Sequence, residues 1–572
     1  MKYTKKTIYF ILLVLIFAFS SSQTFSRDTK FKYSKDDISN YFSGVISLNQ
    51  NYSTTGFKYL NKVKSLKNIH SDFNIKFIRL LVLLEKFDQA FAFAKDVWKE
   101  EEFVFEIDLL LGLEAFLKND YIDAEKYFLR LNRISRHNIY FDDFFGNILM
   151  SWVKASENKK NESIAFLDKI PRRYNNLKKI QSAFLQCHFN TSKTEVAFEN
   201  LIGGKDSSFS RYYFFLTNYF LHKDKKTAAE LVIKNSRIDD NSNILLKQTE
   251  DFILAKNTKK IKNYFNCNKP TDVISELFYI VANLHATEND YHLSNFYLKL
   301  SLFLNDKFTP NKILLAENFY NQKKYKDSKK IYNSVKSIGK VYSWYASTRL
   351  ALILSITENE KKSTSYLEKE LNSLANPTFE NYFDLANFFK SNANYEESVK
   401  YYSLILKQID HDHFLVPKIL DSRGTSYERM GDWENAERDL LESLKIKPDQ
   451  PHVLNYLAYS WVDKGINIEK SLEMLNRANK LSRDDGYIID SLGWAHYANK
   501  NYIEAKSYLQ RAVELMPLDP VINDHYADVL WMLNKNLQAR YVWKYVLSLK
   551  STEEKLKENI NKKLIFGIAK NL

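Results

Sequence analysis

The sequence predicts an all-α solenoid of about 15 stacked antiparallel helix pairs. Three observations carry this expectation. The chain has 572 residues, beyond the roughly 250–300 at which single cores stop growing, so it is several domains or one elongated array. It holds only 13 Gly and 9 Pro, too few for a turn-rich β fold or a glycine-loop nucleotide fold. Small and aromatic residues recur about every 34 positions, the length of two helices and their turns.

Taken in order, the first element is an address. Lys2, Lys5 and Lys6 precede the apolar run Ile8–Phe19, and Ser20, Ser21 and Ser22 follow it. This predicts a secretory signal peptide over residues 1–22. The run is too short for the roughly 20 residues that cross a bilayer, so no stable membrane span is expected after cleavage; an uncleaved anchor is the alternative. The mature protein is therefore read as exported; together with the resemblance given below, this places it in the periplasm, with association with the envelope as the variant reading. A linker is expected over 23–36.

N-terminal repeats are predicted for 37–140, with units opening at Asp37, Ser71 and Phe105 at a constant spacing of 34. Residues 141–274 read as degenerate helical repeats. The intervals from Phe144 to Phe209 and from Phe209 to Ser275 each suit two slightly shortened units. Clear repeats run from 275 to 550, and 551–572 read as a terminal helix or tail.

The unit over Pro417–Pro448 shows the pattern plainly. Gly424 and Tyr427 lie on a first helix, Met430–Trp433 form a turn, and Ala436, Leu440 and Leu444 face inward from a second helix. Gly493, Tyr502, Ala505, Leu509 and Ala512 repeat it. Gly or Ala at the eighth position and Ala or Ser at the twentieth let helices approach closely. An aromatic at the seventeenth fills the space beside the turn. Each hairpin leaves apolar faces open until its neighbour stacks on them.

Helical hairpins with these fixed positions resemble tetratricopeptide repeats. The stretches Asn455–Asp463, Asp485–Ala495 and Asp519–Asp528 are similar to the exported tetratricopeptide proteins of alphaproteobacteria. The chain lacks the cysteine after the signal that many such relatives carry. The resemblance implies a right-handed superhelix and a binding or scaffolding role without catalytic residues. It also implies that positions 2, 5, 9, 12 and 13 of each unit line a concave groove. In the last three units these positions hold Asn455, Tyr459 and Asp463; Tyr487, Asp490, Trp494 and Tyr497; and Asp524, Asp528 and Trp531. Aromatics beside carboxylates suit an extended peptide or a sugar chain. The expected partner is a protein or peptide; the alternative is an envelope polysaccharide.

No enzyme signature survives inspection. Gly203-Gly204-Lys205-Asp206 resembles the end of a phosphate loop, but Asp206 stands where Ser or Thr must bind magnesium. No His is followed by Glu, and no G-x-S-x-G occurs. Asp410-His411-Asp412-His413 is the densest ligand cluster, read as a solvated loop for want of a further ligand. No cofactor or metal is expected. The formal charge of +14 is spread along the chain beside Asp and Glu, so nucleic acid is not an expected partner. Cys187 and Cys267 lie 80 residues apart. Stacked helices sit about 10 Å apart and a disulfide needs Cα atoms within about 7 Å, which predicts buried free thiols unless the irregular region folds back.

Overall fold

A computed structural model describes residues 33–50, 52–135, 144–203, 209–236 and 243–568. The signal segment, most of the 23–36 linker, Gly204–Asp206 and residues 569–572 lie outside the described residues. Among the described residues there are fifteen consecutive helix pairs followed by one further helix, and no strand. The pairs run without interruption from Lys35–Asn49 with Ser53–Leu60 to Pro520–Met532 with Asn536–Ser548; the additional helix is Glu554–Phe566. No helix among the described residues is long and apolar enough to cross a membrane.

The small positions do what close approach requires. At the eighth position, a Cβ on Gly493 would stand 2.6 Å from Leu509 Cγ, and one on Gly424 would stand 3.1 Å from Leu440 Cγ. At the twentieth, Ala124, Ser163, Ala229, Ser294, Ser363, Ala436, Ser471, Ala505 and Ala539 are all fully buried. A larger side chain at either position would push the two helices of a pair apart.

The turn inside the pair is equally regular. In thirteen of the fourteen pairs where it is described, the second residue after the first helix has a positive φ. Only Gly431 and Gly465 are glycines at this place; Asn119, Asn158, Asn190, Asn289 and Asn534 use the residue type that best tolerates the left-handed region after glycine. The hydrogen bonds close the helix end. Lys86 N donates to Leu81 O, and Asp432 N to Tyr427 O, both at 2.9 Å. This six-to-one bond marks a Schellman stop. It explains how a glycine-poor chain makes so many sharp reversals.

The chain divides into two compact units, Met1–Tyr342 and Ser343–Leu572. In the first, the region of blurred periodicity consists of four helix pairs: Phe144–Ser156 with Lys160–Asp168, Asn175–His188 with Thr194–Ile202, Tyr212–His222 with Lys226–Asn235, and Ile244–Leu254 with Thr258–Tyr264. Their second helices have only 7 to 10 residues, which shortens the repeat and blurs its period. Several first helices are apolar on every side. Phe144 through Ala155 are all buried, as expected of a helix packed on all faces.

What buries them is contact between segments far apart in sequence. Phe87 stacks on Phe303 with centroids 4.1 Å apart, and Phe145 lies 5.9 Å from Phe278. Arg211 forms a bidentate pair with the fully buried Glu276 at 2.7 and 2.8 Å. Gln248 Oε1 accepts from the backbone N–H groups of Val341 and Tyr342. The first unit therefore turns back on itself.

That return overturns the expectation for the cysteines. Cys187 and Cys267 form a disulfide, with Cα atoms 6.0 Å apart. Spacing in the sequence counts repeats along a straight stack, whereas here the residues after Tyr264 lie against the Asn175–His188 helix. His188 Nδ1 is 3.0 Å from Cys267 O, and Phe184 packs on Phe265 at 5.3 Å.

The second unit stacks its pairs through small local clusters. Trp344, Ala351, Leu367, Leu385 and Phe388 form one of these. Ala458, Leu475, Leu492 and Ala495 form another, and Ala527, Ala539, Trp543 and Ile560 close the series against Glu554–Phe566.

Candidate functional site

A cleft of about 270 Å³ opens in the second unit where three first helices come together: Pro451–Asp463, Gly486–Ala498 and the start of Pro520–Met532. Proline at the first position of the outer two starts those helices without wasting an N–H. Asp485 and Asp519 cap the second and third, accepting from the N–H groups two and three residues on. The first turns are thereby fixed where they face the cleft.

Four of the ten residues expected to line a groove line this cleft: Asn455, Tyr459, Tyr487 and Asp490. Tyr487 is exposed and Tyr459 half-buried. Burial, and then the carboxylates of Asp490 and Asp463, push the Tyr459 hydroxyl up to about 12. Asn455 keeps a buried Oδ1 without a hydrogen-bond partner. Asp463 is exposed at the end of its helix.

The other five are drawn into packing. Trp494 stacks on Tyr497 at 4.6 Å and on His525 at 4.0 Å. His525 is buried and places Nδ1 3.0 and 3.1 Å from the two oxygens of Asp490. Burial drives this imidazole towards neutrality, but Asp490, with Asp524 and Asp528, outweighs it, so its pKa lies above the usual histidine value. Asp524 and Asp528 both take Lys563 Nζ, at 2.7 to 2.9 Å. Burial and the neighbouring Asp524 push the Asp528 carboxyl up to about 6 against the pull of Lys563. Trp543 Nε1 donates to the same carboxylate, and Trp531 Nε1 to Ile568 O. The predicted surface thus has two parts. One is an open cleft; the other is covered by Glu554–Phe566 and the residues after it.

Sequence reasoning did not select Tyr456, Ser491, Asp519, Val521 or Ile522, which complete the lining. Val521 sits at position 2 of its unit, so the same template reaches it once apolar residues are admitted. His525 and Lys563 carry no sequence signal, because their roles depend on partners 35 or more residues away. The Asp410–His413 segment is an exposed loop. His411 Nε2 approaches Glu442 at 3.5 Å, while His413 packs its ring on Phe379 and Phe414. Among the described residues, no group of three or more His, Cys, Asp or Glu is placed to hold a metal.

The fold defines a helical-repeat solenoid, an architecture that in general serves protein–protein interaction. Residues 489–517 match the tetratricopeptide repeat. A TPR repeat-containing protein of Pseudomonas aeruginosa is 31% identical over 99 residues, which is 17% of each chain. The match thus spans about a sixth of that curated relative's length. Among solved structures, yeast Tom70 is 14% identical over 92% of this chain and 94% of its own, with a TM-score of 0.35. A tetratricopeptide repeat protein from Parabacteroides merdae is 16% identical over 39% and 88%, with a TM-score of 0.33. The chain is thus similar to tetratricopeptide repeat proteins, with the matched repeat at residues 489–517.

Proposed function

We propose that this protein is an exported, non-catalytic scaffold of the alphaproteobacterial type that holds a protein or peptide partner in the groove of its C-terminal repeats. The observation that carries the reading is the cleft in which Asn455, Tyr459, Tyr487 and Asp490 meet. It is concave, partly apolar and furnished with fixed polar groups, as a peptide site requires. Its residues come from three successive repeats, so an extended segment laid along it contacts all three.

Two features support export. The N-terminal sequence has the basic, apolar and small-residue order of a cleavable leader. The pairing of the two cysteines suits an oxidising compartment. The polysaccharide alternative gains nothing comparable, since Trp494 is committed to Tyr497 and His525 and Trp531 to the residues around Ile568.

The test is capture from an envelope extract by the native protein and by a Tyr459→Ala/Tyr487→Ala variant. Circular dichroism verifies the fold of each. The reading expects a partner retained by the native chain and lost by the folded variant. Equal capture by both removes the groove from consideration. Cell fractionation with sequencing of the mature N-terminus tests export; an intact leader in the cytoplasm refutes it.

A further inference from the structure

The lining of the cleft has a charge character opposite to that of the chain. Three tyrosines (Tyr456, Tyr459 and Tyr487) and two carboxylates (Asp490 and Asp519) surround it, and no lysine, arginine or histidine is among its lining residues. The whole chain carries a formal charge of +14.

We infer that this cleft is a receptor for an organic cation, the ammonium or guanidinium group of a lysine or arginine side chain presented by an extended peptide. The inference rests on the groove reading above and adds the chemistry of the ligand.

Tyrosine faces attract cations through the ring quadrupole, and a carboxylate beside them adds direct ion pairing. Both carboxylates are held in place by other bonds while keeping acceptor capacity. Asp490 is fixed by a single ring nitrogen of His525, although an ionised carboxylate has about four lone-pair sites. Asp519 caps its helix through Oδ1 for both of its backbone bonds. Asn455 adds a polar side chain to the same lining. The raised Tyr459 hydroxyl points the same way: after burial, its causes are the negative charges of Asp490 and Asp463. Val521 and Ile522 give the aliphatic stem of a long basic side chain an apolar wall. An anionic ligand would meet the Asp519 carboxylate and an Asp490 already paired with the buried His525, with no cation among the lining residues, so acidic peptides and phosphates are selected against.

The experiment uses calorimetric titration of the mature protein with a short capped peptide containing one arginine. The same peptide with citrulline, a neutral near-isostere, is the comparison, and agmatine supplies the free cation without a peptide. The expected result is a low-millimolar or tighter affinity for the arginine peptide, and one about tenfold to a hundredfold weaker for citrulline, the worth of one charge-assisted hydrogen-bonding group. Tyr487→Leu, at an exposed position, and Asp519→Asn, which keeps a capping side chain, each reduce that ratio. Agmatine binding as well as the peptide identifies a free small cation as the ligand; weaker agmatine binding identifies the peptide side chain.

Equal binding of arginine and citrulline peptides overturns the inference. If that shared binding is still lost in Tyr459→Ala/Tyr487→Ala, the peptide groove stands and only the cation falls. If neither peptide binds while partner capture still depends on the two tyrosines, the cation assignment falls in the same way. Indifference of capture to both tyrosines sinks the groove itself.

Discussion

Removing the Cys187–Cys267 bond is the perturbation whose size is most directly worked from the structure. The bond closes a loop with a sequence separation of 80. Loop-closure entropy of about 2.1 + 1.5R ln n cal/mol/K then gives about 4.5 kcal/mol at 25 °C. That is a large part of the roughly 5–15 kcal/mol that stabilises a typical domain. Unfolding entropy is about 2.1 cal/mol/K per residue, so a unit of roughly 300 residues unfolding as one loses about 7 °C in Tm. The assay is thermal circular dichroism of the oxidised protein, the protein with reductant, and a Cys187→Ala/Cys267→Ala variant. The chain has two cysteines, so the variant must ignore reductant. Reduction should lower the native transition to about that of the variant. Two free thiols by alkylation and mass spectrometry in the native protein purified without reductant, or a native Tm unmoved by complete reduction, would refute the reasoning.

Three further outcomes are expected. Lys563→Met leaves Asp524 and Asp528 buried side by side and should cost about 3–5 kcal/mol in urea denaturation of the C-terminal repeats; adding Asp528→Asn should restore part of it, and additive losses would contradict the network. Gly493→Ala puts a methyl 2.6 Å from Leu509 Cγ and 3.1 Å from Leu509 N, so a loss of about 1–3 kcal/mol is expected, measured by the same denaturation. The folded-state pKa of His525 is raised, so its contribution is complete below the unfolded value near 6.5 and is lost as pH rises through the folded value. Asp528, raised to about 6, likewise favours folding at lower pH, losing its contribution between about 4 and 6. Stability against pH for the native chain and His525→Gln should therefore diverge below the folded histidine pKa and converge above it; parallel curves would exclude the ion pair with Asp490.

The architecture was legible because it is local. The small residues at positions 8 and 20 recur within a single hairpin, and the glycines at position 8 meet a partner sixteen residues away, as Gly493 meets Leu509. Two shortened units per interval between Phe144, Phe209 and Ser275 were legible for the same reason. The disulfide was not. It depends on how the first unit returns on itself, which Phe87–Phe303 and Arg211–Glu276 determine and no 34-residue window contains. The site divides along the same line. A positional template locates Tyr459, Tyr487 and Asp490, but it does not reveal that Lys563 and Ile568 reach back over Asp524, Asp528 and Trp531.

The left-handed turn residue also has a consequence for how such a chain changes in evolution. Within pairs, the connection is three residues long in twelve of the fifteen, and two, four or five in the others. Between pairs, it ranges from four residues, as after Ile446, to nine after Leu406, where the Asp410–His413 segment sits, and ten after Leu60. Each helix pair therefore has one nearly constant rim and one editable rim. Insertions, epitope tags or new recognition loops can accumulate along the second without altering the stacking of the helices, while the first stays between two and five residues around its left-handed turn.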